Sequence, residues 1–289
     1  MMDKFITMLR KQGVLKNFLE ILRKLGLLTL AFRVYERINV LGRHDKGGRQ
    51  LQVHTPEGPI PPSDLIVLVA GNSNAEWFLS LGKSMFETLI DILRRNGAAV
   101  ETMQTVLELG CGCGRVLRYW GTVRGPEIHG TDYNPRLIEW CRRNLPFAHY
   151  GINALYPPLA YADQSFDCIY ATSVFTHMSE ELQSAWMKEL ARILKPGGYL
   201  LITTHGVSYR EKLTALELEA FDAGKLVVRY EEASGMNLCS AYHPESYVRT
   251  QLATGYSVCD FVPVGTQEGV YQDIYLLRRA MVQTGRNGE

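Results

Sequence analysis

The chain of 289 residues has almost no net charge, few cysteines and no long apolar run. The 31 Lys and Arg residues nearly balance the 30 Asp and Glu residues, whereas a dedicated nucleic-acid binder usually shows a strong basic excess. No run of about 18 apolar residues exists, so the sequence predicts no transmembrane segment. The start of the chain is charged and lacks the apolar core of a signal peptide, so we expect a cytoplasmic protein.

The six cysteines form no C-x-x-C pair, and no histidine cluster lies near them at the spacing of a zinc site. Four of them stand in apolar or small-residue runs, where a thiol behaves as a small hydrophobic group. We therefore expect a reducing compartment, no disulfide framework and no metal site.

The charges are distributed unevenly along the chain. Residues 1–49 hold eleven Lys and Arg against four Asp and Glu, a net charge of +7, and the remaining residues carry −6. A basic segment of this kind is typical of an arm that contacts a membrane surface or a nucleic acid. It also fits two parts of one chain that dock on each other.

The hydrophobic pattern divides the chain into parts. Helical spacing predicts helices over 3–40 and 64–96, separated by a Gly- and Pro-rich linker at 42–63. From residue 105 onward short apolar strands alternate with helical stretches, which indicates a parallel sheet with right-handed crossovers. Two strands near 256–262 and 271–277 are joined by a short turn and should pair antiparallel.

The strongest signal is a strand, Val106–Leu109, followed by Gly110, Gly112 and Gly114 and by a predicted helix near 115–121. Glycines allow a ligand to approach the backbone closely, and in an open α/β sheet this strand end borders the binding crevice. The NAD(P) fingerprint G-x-G-x-x-G would require glycine at Arg115. The observed pattern is instead acid-x-Gly-x-Gly-x-Gly, with Glu108 as the acid.

This pattern resembles motif I of the class I S-adenosylmethionine-dependent methyltransferases, and the resemblance covers most of residues 72–280. Asp132 and Tyr133, after the second strand, look like the family's second motif, which implies a carboxylate for the ribose hydroxyls and a ring for the adenine. Asn153 and Ala154 match the third motif at the adenine edge. Many relatives have Asp at the Asn153 position, so this side chain can form a hydrogen bond there without supplying a charge.

Three further segments extend the resemblance. Ser173 and His177 belong to a stretch similar to the "S-V-F-T-H-L" segment of many small-molecule methyltransferases, and Leu194–Gly198 resembles the turn before the fifth strand. Phe78 and Gly82 fall in a segment that relatives place over the methionine end of the cofactor.

The resemblance implies a Rossmann-like α/β fold with a seven-stranded, mostly parallel sheet and an antiparallel last strand, preceded by an N-terminal helical cap. The expected divisions are an N-terminal extension and linker over 1–62, a helical cap over 63–104 and a cofactor-binding core over 105–280. An insertion at about 207–250 should contribute to the acceptor pocket.

The implied cofactor is S-adenosylmethionine, which becomes S-adenosylhomocysteine when its methyl group is transferred. His177 and His205 should lie at the ends of strands four and five, and we predict that one of them acts as general base because histidine titrates near neutral pH. The expected acceptor is a small molecule, with O-methylation of a sugar or secondary metabolite preferred. The absence of an Asn-Pro-Pro-Tyr segment and the near-zero net charge disfavour nucleic acid as the substrate.

Two alternatives to a small-molecule methyltransferase stay open. One is a protein or RNA methyltransferase that docks through the basic segment, and the other is a cofactor-binding module without transfer activity. Peripheral membrane contact through residues 1–49 is a further hypothesis. The sequence makes no prediction of the oligomeric state.

Overall fold

A computed structural model describes residues 14–32, 34, 54–265 and 271–281, and it divides the chain into two compact units, Met1–Arg49 and Gln50–Glu289. In the first unit the described residues form helix α1, Val14–Lys24, and are helical again at 28–32. Most of the predicted linker and the ends of the predicted 3–40 helix lie outside the described residues.

The second unit begins with a short antiparallel pair, β1 (His54–Thr55) and β2 (Gly58–Pro59). The block predicted as one helix over 64–96 is two helices, α2 (Ser63–Ala70) and α3 (Ala75–Arg95). Gly71 ends α2 with a φ of 70°, in the left-handed region that glycine adopts readily. Asn74 then caps α3, because its side chain accepts a hydrogen bond from the Trp77 amide at 3.0 Å.

The remaining regular elements alternate along the chain as predicted. The strands are β3 (Thr105–Leu109), β4 (Glu127–Asp132), β5 (His149–Ile152), β6 (Phe166–Ala171), β7 (Leu194–Thr204), β8 (Val227–Arg229), β9 (Ser240–Tyr242), β10 (Tyr256–Val262) and β11 (Asp273–Arg279). The helices are α4 (Pro135–Asn144), α5 (Glu180–Ile193), α6 (Ala215–Asp222) and α7 (Glu245–Tyr247), which continues as a π-helix over Val248–Leu252. Short 3₁₀ helices occupy Val100–Thr102, Leu117–Thr122, Phe175–His177, Val207–Lys212 and Glu231–Ala233.

Seven strands form the central sheet in the order β10-β11-β7-β6-β3-β4-β5. The five strands from β7 to β5 are parallel, and β11 runs antiparallel to both of its neighbours. The predicted Rossmann-like sheet with an antiparallel last strand is therefore confirmed. Because parallel strands end at the same edge, residues that follow β3, β4, β6 and β7 are brought together there.

The core is a layer of apolar side chains on each face of the sheet, as a buried parallel sheet requires. Successive residues of β3 contribute to different layers. Leu107 packs with Leu182 and Trp186 of α5 on one face of the sheet. Val106 packs with Leu89 of α3 on the other face.

The helix predicted near 115–121 differs from expectation. Instead of an α-helix, a series of turns leads into the 3₁₀ helix at Leu117–Thr122. Gly114 has a φ of 73°, which is incompatible with a right-handed helical turn, so regular helix begins only after it. The glycine segment is therefore a separate loop, and no α-helix follows it directly.

The predicted insertion folds around its own small apolar cluster. Phe221 of α6, Val227 of β8 and Tyr242 of β9 are buried together, with Tyr209 and Leu213 packed against them. A single bridge between His205 and Tyr242 joins this insertion to the carboxyl end of β7. The insertion therefore adds a second wall to the edge at which the parallel strands end.

Gly82 provides a test of how closely α3 packs on the glycine loop. A Cβ at this position would lie 2.1 Å from the backbone oxygen of Arg115, which directly follows the loop. Glycine to alanine inside a helix usually stabilises by about 1 kcal/mol. We expect the opposite sign for Gly82→Ala, a loss of about 1–3 kcal/mol, because the added methyl group forces α3 away from the loop.

The free energy of unfolding, from urea titration, checks this prediction, with Ser84→Ala on the same helix as the control. A gain of stability in Gly82→Ala would contradict the close packing.

Candidate active site

The glycine loop of Gly110, Gly112 and Gly114 follows β3 at the carboxyl edge of the sheet. All three residues have positive φ, of 72°, 56° and 73°. A Cβ on Gly112 would lie 2.7 Å from Cγ2 of Val69, and a Cβ on Gly110 would lie 2.6 Å from Cγ2 of Val174. The loop therefore requires glycine both for its conformation and for its clearance from neighbouring side chains.

Asp132 connects this loop to the end of β4. The carboxylate is 7% exposed, and it accepts the Gly112 amide at 2.9 Å and the Asn134 amide at 2.8 Å. Burial raises the pKa of Asp132, and the two backbone N–H donors oppose that rise because they stabilise the charged form. Backbone bonds reinforce the connection, since the amides of Gly110 and Cys111 both donate to the Thr131 oxygen.

Glu108 supports the loop from within the core. Its carboxyl is 2% exposed and accepts the Tyr170 hydroxyl at 2.9 Å and the backbone N–H of Leu117, the first residue of the 3₁₀ helix. Burial raises the pKa of Glu108 to about 8. The direct cofactor contact of Glu108 stays a prediction, and its burial against Tyr170 favours a positioning role instead.

Tyr133, Asn153 and Ala154 lie beside Asp132, after β4 and β5. The Tyr133 side chain is 49% exposed. The Asn153 amide nitrogen donates to the Ala154 carbonyl at 2.8 Å, which fixes the orientation of the side chain. Its oxygen, Oδ1, is buried and has no hydrogen-bond partner. Asn153 therefore presents a free acceptor, the same capacity that the carboxylate found in many relatives would present.

Phe78 and Gly82 of α3 pack against the glycine loop and the residue that follows it. The Phe78 ring is fully buried in an apolar cluster with Leu65 and Cys113, and the guanidinium of Arg118 lies 5.7 Å from its centroid. The burial of the ring favours a packing role, and its cofactor contact stays a prediction. Gly82 lies close to the backbone after the loop, which requires close packing there, and its cofactor contact stays a prediction.

Ser173 joins the ends of three strands. It has a φ of 59°, and its amide donates to the Thr203 hydroxyl at 2.7 Å while its own hydroxyl donates to Oε1 of Gln272 at 3.1 Å. The Thr203 hydroxyl also donates to Oε1 of Gln272, at 2.6 Å. The sequence did not single out Thr203, because only the pairing of β7 with β11 brings it to Gln272.

His177 and His205 come together at the same edge, with ring centroids 6.3 Å apart. Nδ1 of His177 lies 2.7 Å from the Cys239 carbonyl, and Nδ1 of His205 lies 3.1 Å from the Ala241 carbonyl. A carbonyl only accepts, so Nδ1 carries the proton in both rings and Nε2 carries the lone pair. The insertion therefore sets the tautomer of both histidines.

The two histidines are poorer bases than predicted. Burial lowers the pKa of His177, and burial together with His177 and His243 lowers the pKa of His205 to about 2. The His205 ring also stacks on the Tyr209 ring, with centroids 4.1 Å apart. Nζ of Lys212 lies 4.1 Å from the centroid of the same Tyr209 ring. The prediction of His205 as a general base does not fit this environment, so His177 is the better candidate.

A third histidine, His243, is fully buried beneath them. The Gln183 amide nitrogen donates to the carbonyls of Phe175 and Met178, so its oxygen accepts from Nε2 of His243 at 3.1 Å. Nδ1 of His243 is therefore an acceptor, and it has no partner. Burial lowers the pKa of His243 to about 3, so this ring is neutral at physiological pH.

Two elements close over the loop. Val69 of α2 contacts Gly112, and the carbonyl of Leu68 accepts a hydrogen bond from the Asn237 side chain of the insertion at 3.1 Å. In the described part of the chain, no group of three or more His, Cys, Asp or Glu side chains is placed to hold a metal ion. No helix among the described residues is long and apolar enough to cross a membrane.

These residues fit an adenosine-containing cofactor. The free Oδ1 of Asn153 can accept from an exocyclic amino group of adenine, and the exposed Tyr133 ring offers a packing surface. Each Asp132 oxygen accepts one backbone N–H, which leaves a further lone pair for a ribose hydroxyl.

Comparison with known proteins agrees with the fold. Residues 107–202 match the family model described as a methyltransferase domain. A stretch of 99 residues, 34% of this chain and 38% of the relative, is 33% identical to malonyl-(acyl-carrier protein) O-methyltransferase of Enterobacter lignolyticus. Another stretch, 49% of this chain and 28% of the relative, is 29% identical to probable tRNA methyltransferase 9B of Mus musculus.

An S-adenosylmethionine-dependent methyltransferase from Mesorhizobium loti has the same fold, with a TM-score of 0.51 and 13% identity over 66% of this chain and 98% of that one. The chain spans less than half the length of each of these two curated relatives. The matched domain and the sheet topology define a methyltransferase fold. Residues 107–202 are thus similar to a methyltransferase domain, and the residues at the carboxyl edge fit S-adenosylmethionine, the cofactor that the sequence predicts.

Asp132→Asn tests the connection between loop and strand. The Gly112 and Asn134 amides donate to different oxygens of the carboxylate, and in asparagine one of these oxygens becomes an NH2 group that cannot accept. We expect the affinity for S-adenosylhomocysteine, measured by calorimetry, to fall at least about tenfold, or 1.4 kcal/mol. Asp163→Asn, which removes an exposed carboxylate paired with Arg192, should leave the affinity unchanged. Equal affinity in Asp132→Asn would contradict this role.

His205→Gln tests the burial of the histidines through the pH dependence of stability. The pKa of His205 is about 2 in the folded protein and about 6.5 in the unfolded chain. Below pH 6.5 the unfolded state therefore binds more protons than the folded state, and the free energy of unfolding falls. We expect wild type to lose about 1.4 kcal/mol more than His205→Gln between pH 7.5 and 5.5. Urea titrations at both pH values give this difference, and equal losses would show that His205 titrates normally.

Proposed function

We propose that this chain transfers the methyl group of S-adenosylmethionine to a hydroxyl group of a small-molecule acceptor, such as a sugar or secondary metabolite. The observation that carries the proposal is the imidazole of His177, whose Nδ1–H donates to Cys239 and whose Nε2 lone pair is left as a proton acceptor. His177 follows Val174, the residue that touches Gly110, by one turn. A proton acceptor thus lies close to the cofactor loop.

Different residues of the site would bind the cofactor and accept the proton. Asp132, Tyr133, Asn153 and Ala154 would hold the adenosine part, and the loop around Gly112 would approach it through the backbone. When bound, the cofactor supplies an activated methyl group to a nucleophile placed about 3–3.5 Å away and in line. Nε2 of His177 would accept the proton of the acceptor hydroxyl, and His205 would hold the neighbouring wall in place.

The closed edge favours a small acceptor. The hydrogen bond from Asn237 to Leu68 joins the insertion to α2, so a bulky substrate would have to separate these elements. Residues 50–289 carry a net charge of −6, which opposes the approach of a polyanion. These features support a small-molecule acceptor over RNA, in agreement with the O-methyltransferase among the relatives.

His177→Gln tests the proposed proton transfer. Glutamine can still donate a hydrogen bond to the Cys239 carbonyl, but it has no basic nitrogen. The side chain therefore keeps this hydrogen bond and loses the ability to accept a proton. With an accepted hydroxyl substrate, we expect kcat to fall by about 10²–10⁴. The affinity for S-adenosylhomocysteine should stay within about twofold of wild type, because His177 is outside the adenosine-binding group. His149→Gln, at the opposite edge of the sheet, should retain full activity.

The acceptor class is tested by measuring S-adenosylhomocysteine release with panels of hydroxylated small molecules, proteins and RNA. We expect release with a neutral hydroxyl compound. Release with RNA or protein alone would support the second candidate, a macromolecular methyltransferase, which one relative's name and the +7 charge of residues 1–49 favour. Cofactor binding without release in any panel would indicate a binding module and contradict the proposal.

A further inference from the structure

The described part of the first unit exposes an unusual row of apolar side chains. Phe18 and Ile21 of α1 are 53% and 56% exposed, and Leu25 is 64% exposed. The Leu25 amide donates to the Ile21 carbonyl at 3.1 Å, so the helical spiral continues through Leu25. Spacings of three and four residues place these three side chains on one face of a helix.

A second group of exposed apolar side chains follows the turn at Gly26. The Ala31 amide donates to the Leu27 carbonyl at 2.9 Å, which starts a second helical segment. Leu27, Leu30 and Val34 are 44%, 60% and 47% exposed and again follow at intervals of three and four. Six large apolar side chains are thus exposed within 17 residues. Scattered exposed apolar residues are ordinary, but a contiguous patch indicates an interaction surface.

The polar side of α1 carries positive charge. At 100° per residue, Arg23 lies opposite the face that holds Phe18 and Ile21. Arg23 and Lys24 end the helix, and Arg23 lies 3.7 Å from the single acidic residue of α1, Glu20. The whole segment 1–49 has a net charge of +7. The helix therefore combines an apolar face with a basic one.

We propose that residues 14–34 lie in the interface of an anionic phospholipid membrane, with the apolar row toward the acyl chains and the basic face toward the headgroups. An anionic bilayer satisfies both faces, because burial of the apolar row and attraction of the charges act together. RNA would attract the basic face but would give Ile21 and Leu25 no apolar contact. A second copy would meet the apolar row but bring like charges together.

The test is co-sedimentation of the full chain with phosphatidylcholine vesicles, with and without phosphatidylglycerol. We expect binding only when the anionic lipid is present, and weaker binding as salt is raised. Ile21→Asp with Leu25→Asp should lower the partition coefficient at least about tenfold, because two apolar side chains are lost from the interface. Arg23→Glu with Lys24→Glu should also weaken binding, and should do so most at low salt.

Leu216→Asp is the matched control, since Leu216 is 77% exposed on α6 of the second unit. It should bind vesicles as wild type does. Retained affinity for S-adenosylhomocysteine in every variant shows that the second unit is folded, so this result is separate from the proposed methyl transfer.

Three results would overturn the membrane proposal. The first is no sedimentation with anionic vesicles. The second is RNA binding without vesicle binding. The third is a dimer in solution that Leu25→Asp dissociates while vesicle binding is absent.

Discussion

The buried hydrogen bond from the Gly112 amide to the Asp132 carboxylate is the constraint on which the cofactor site depends. It joins the loop after β3 to the end of β4, and it does so where neither group has water as an alternative partner. The same carboxylate accepts the Asn134 amide, so one side chain positions both the loop and the start of α4. Glu108 adds support from below, because it holds the start of the following 3₁₀ helix. These hydrogen bonds hold the loop in one conformation.

The insertion determines which ring nitrogen is protonated in the two histidines at this edge. Backbone carbonyls of Cys239 and Ala241 take the Nδ1 protons of His177 and His205, so the basic nitrogen of each ring is determined by a segment more than 30 residues away in sequence. Burial then keeps His205 neutral. This edge of the sheet therefore presents neutral hydrogen-bonding groups beside the glycine loop.

The sequence predicted the sheet well, because alternating apolar strands and glycine positions are local signals that tertiary packing rarely overrides. It could not predict that Phe78 packs the core, since an aromatic residue at helical spacing fits either role. The low pKa of His205 also escaped it, because burial by Tyr209 depends on how the insertion folds back on β7. Thr203 was missed for a similar reason, since its partner Gln272 is distant in sequence. Local patterns therefore specify the scaffold, and long-range contacts specify the chemistry.

A crystal structure of the chain with S-adenosylhomocysteine would show directly whether Asp132 and the glycine loop hold the cofactor. We expect adenosine density against Tyr133 and Asn153, ribose hydroxyls on Asp132, and the sulfur atom directed toward Nε2 of His177. Density with the sulfur directed away from His177, or a ligand bound outside the carboxyl edge of the sheet, would contradict this site.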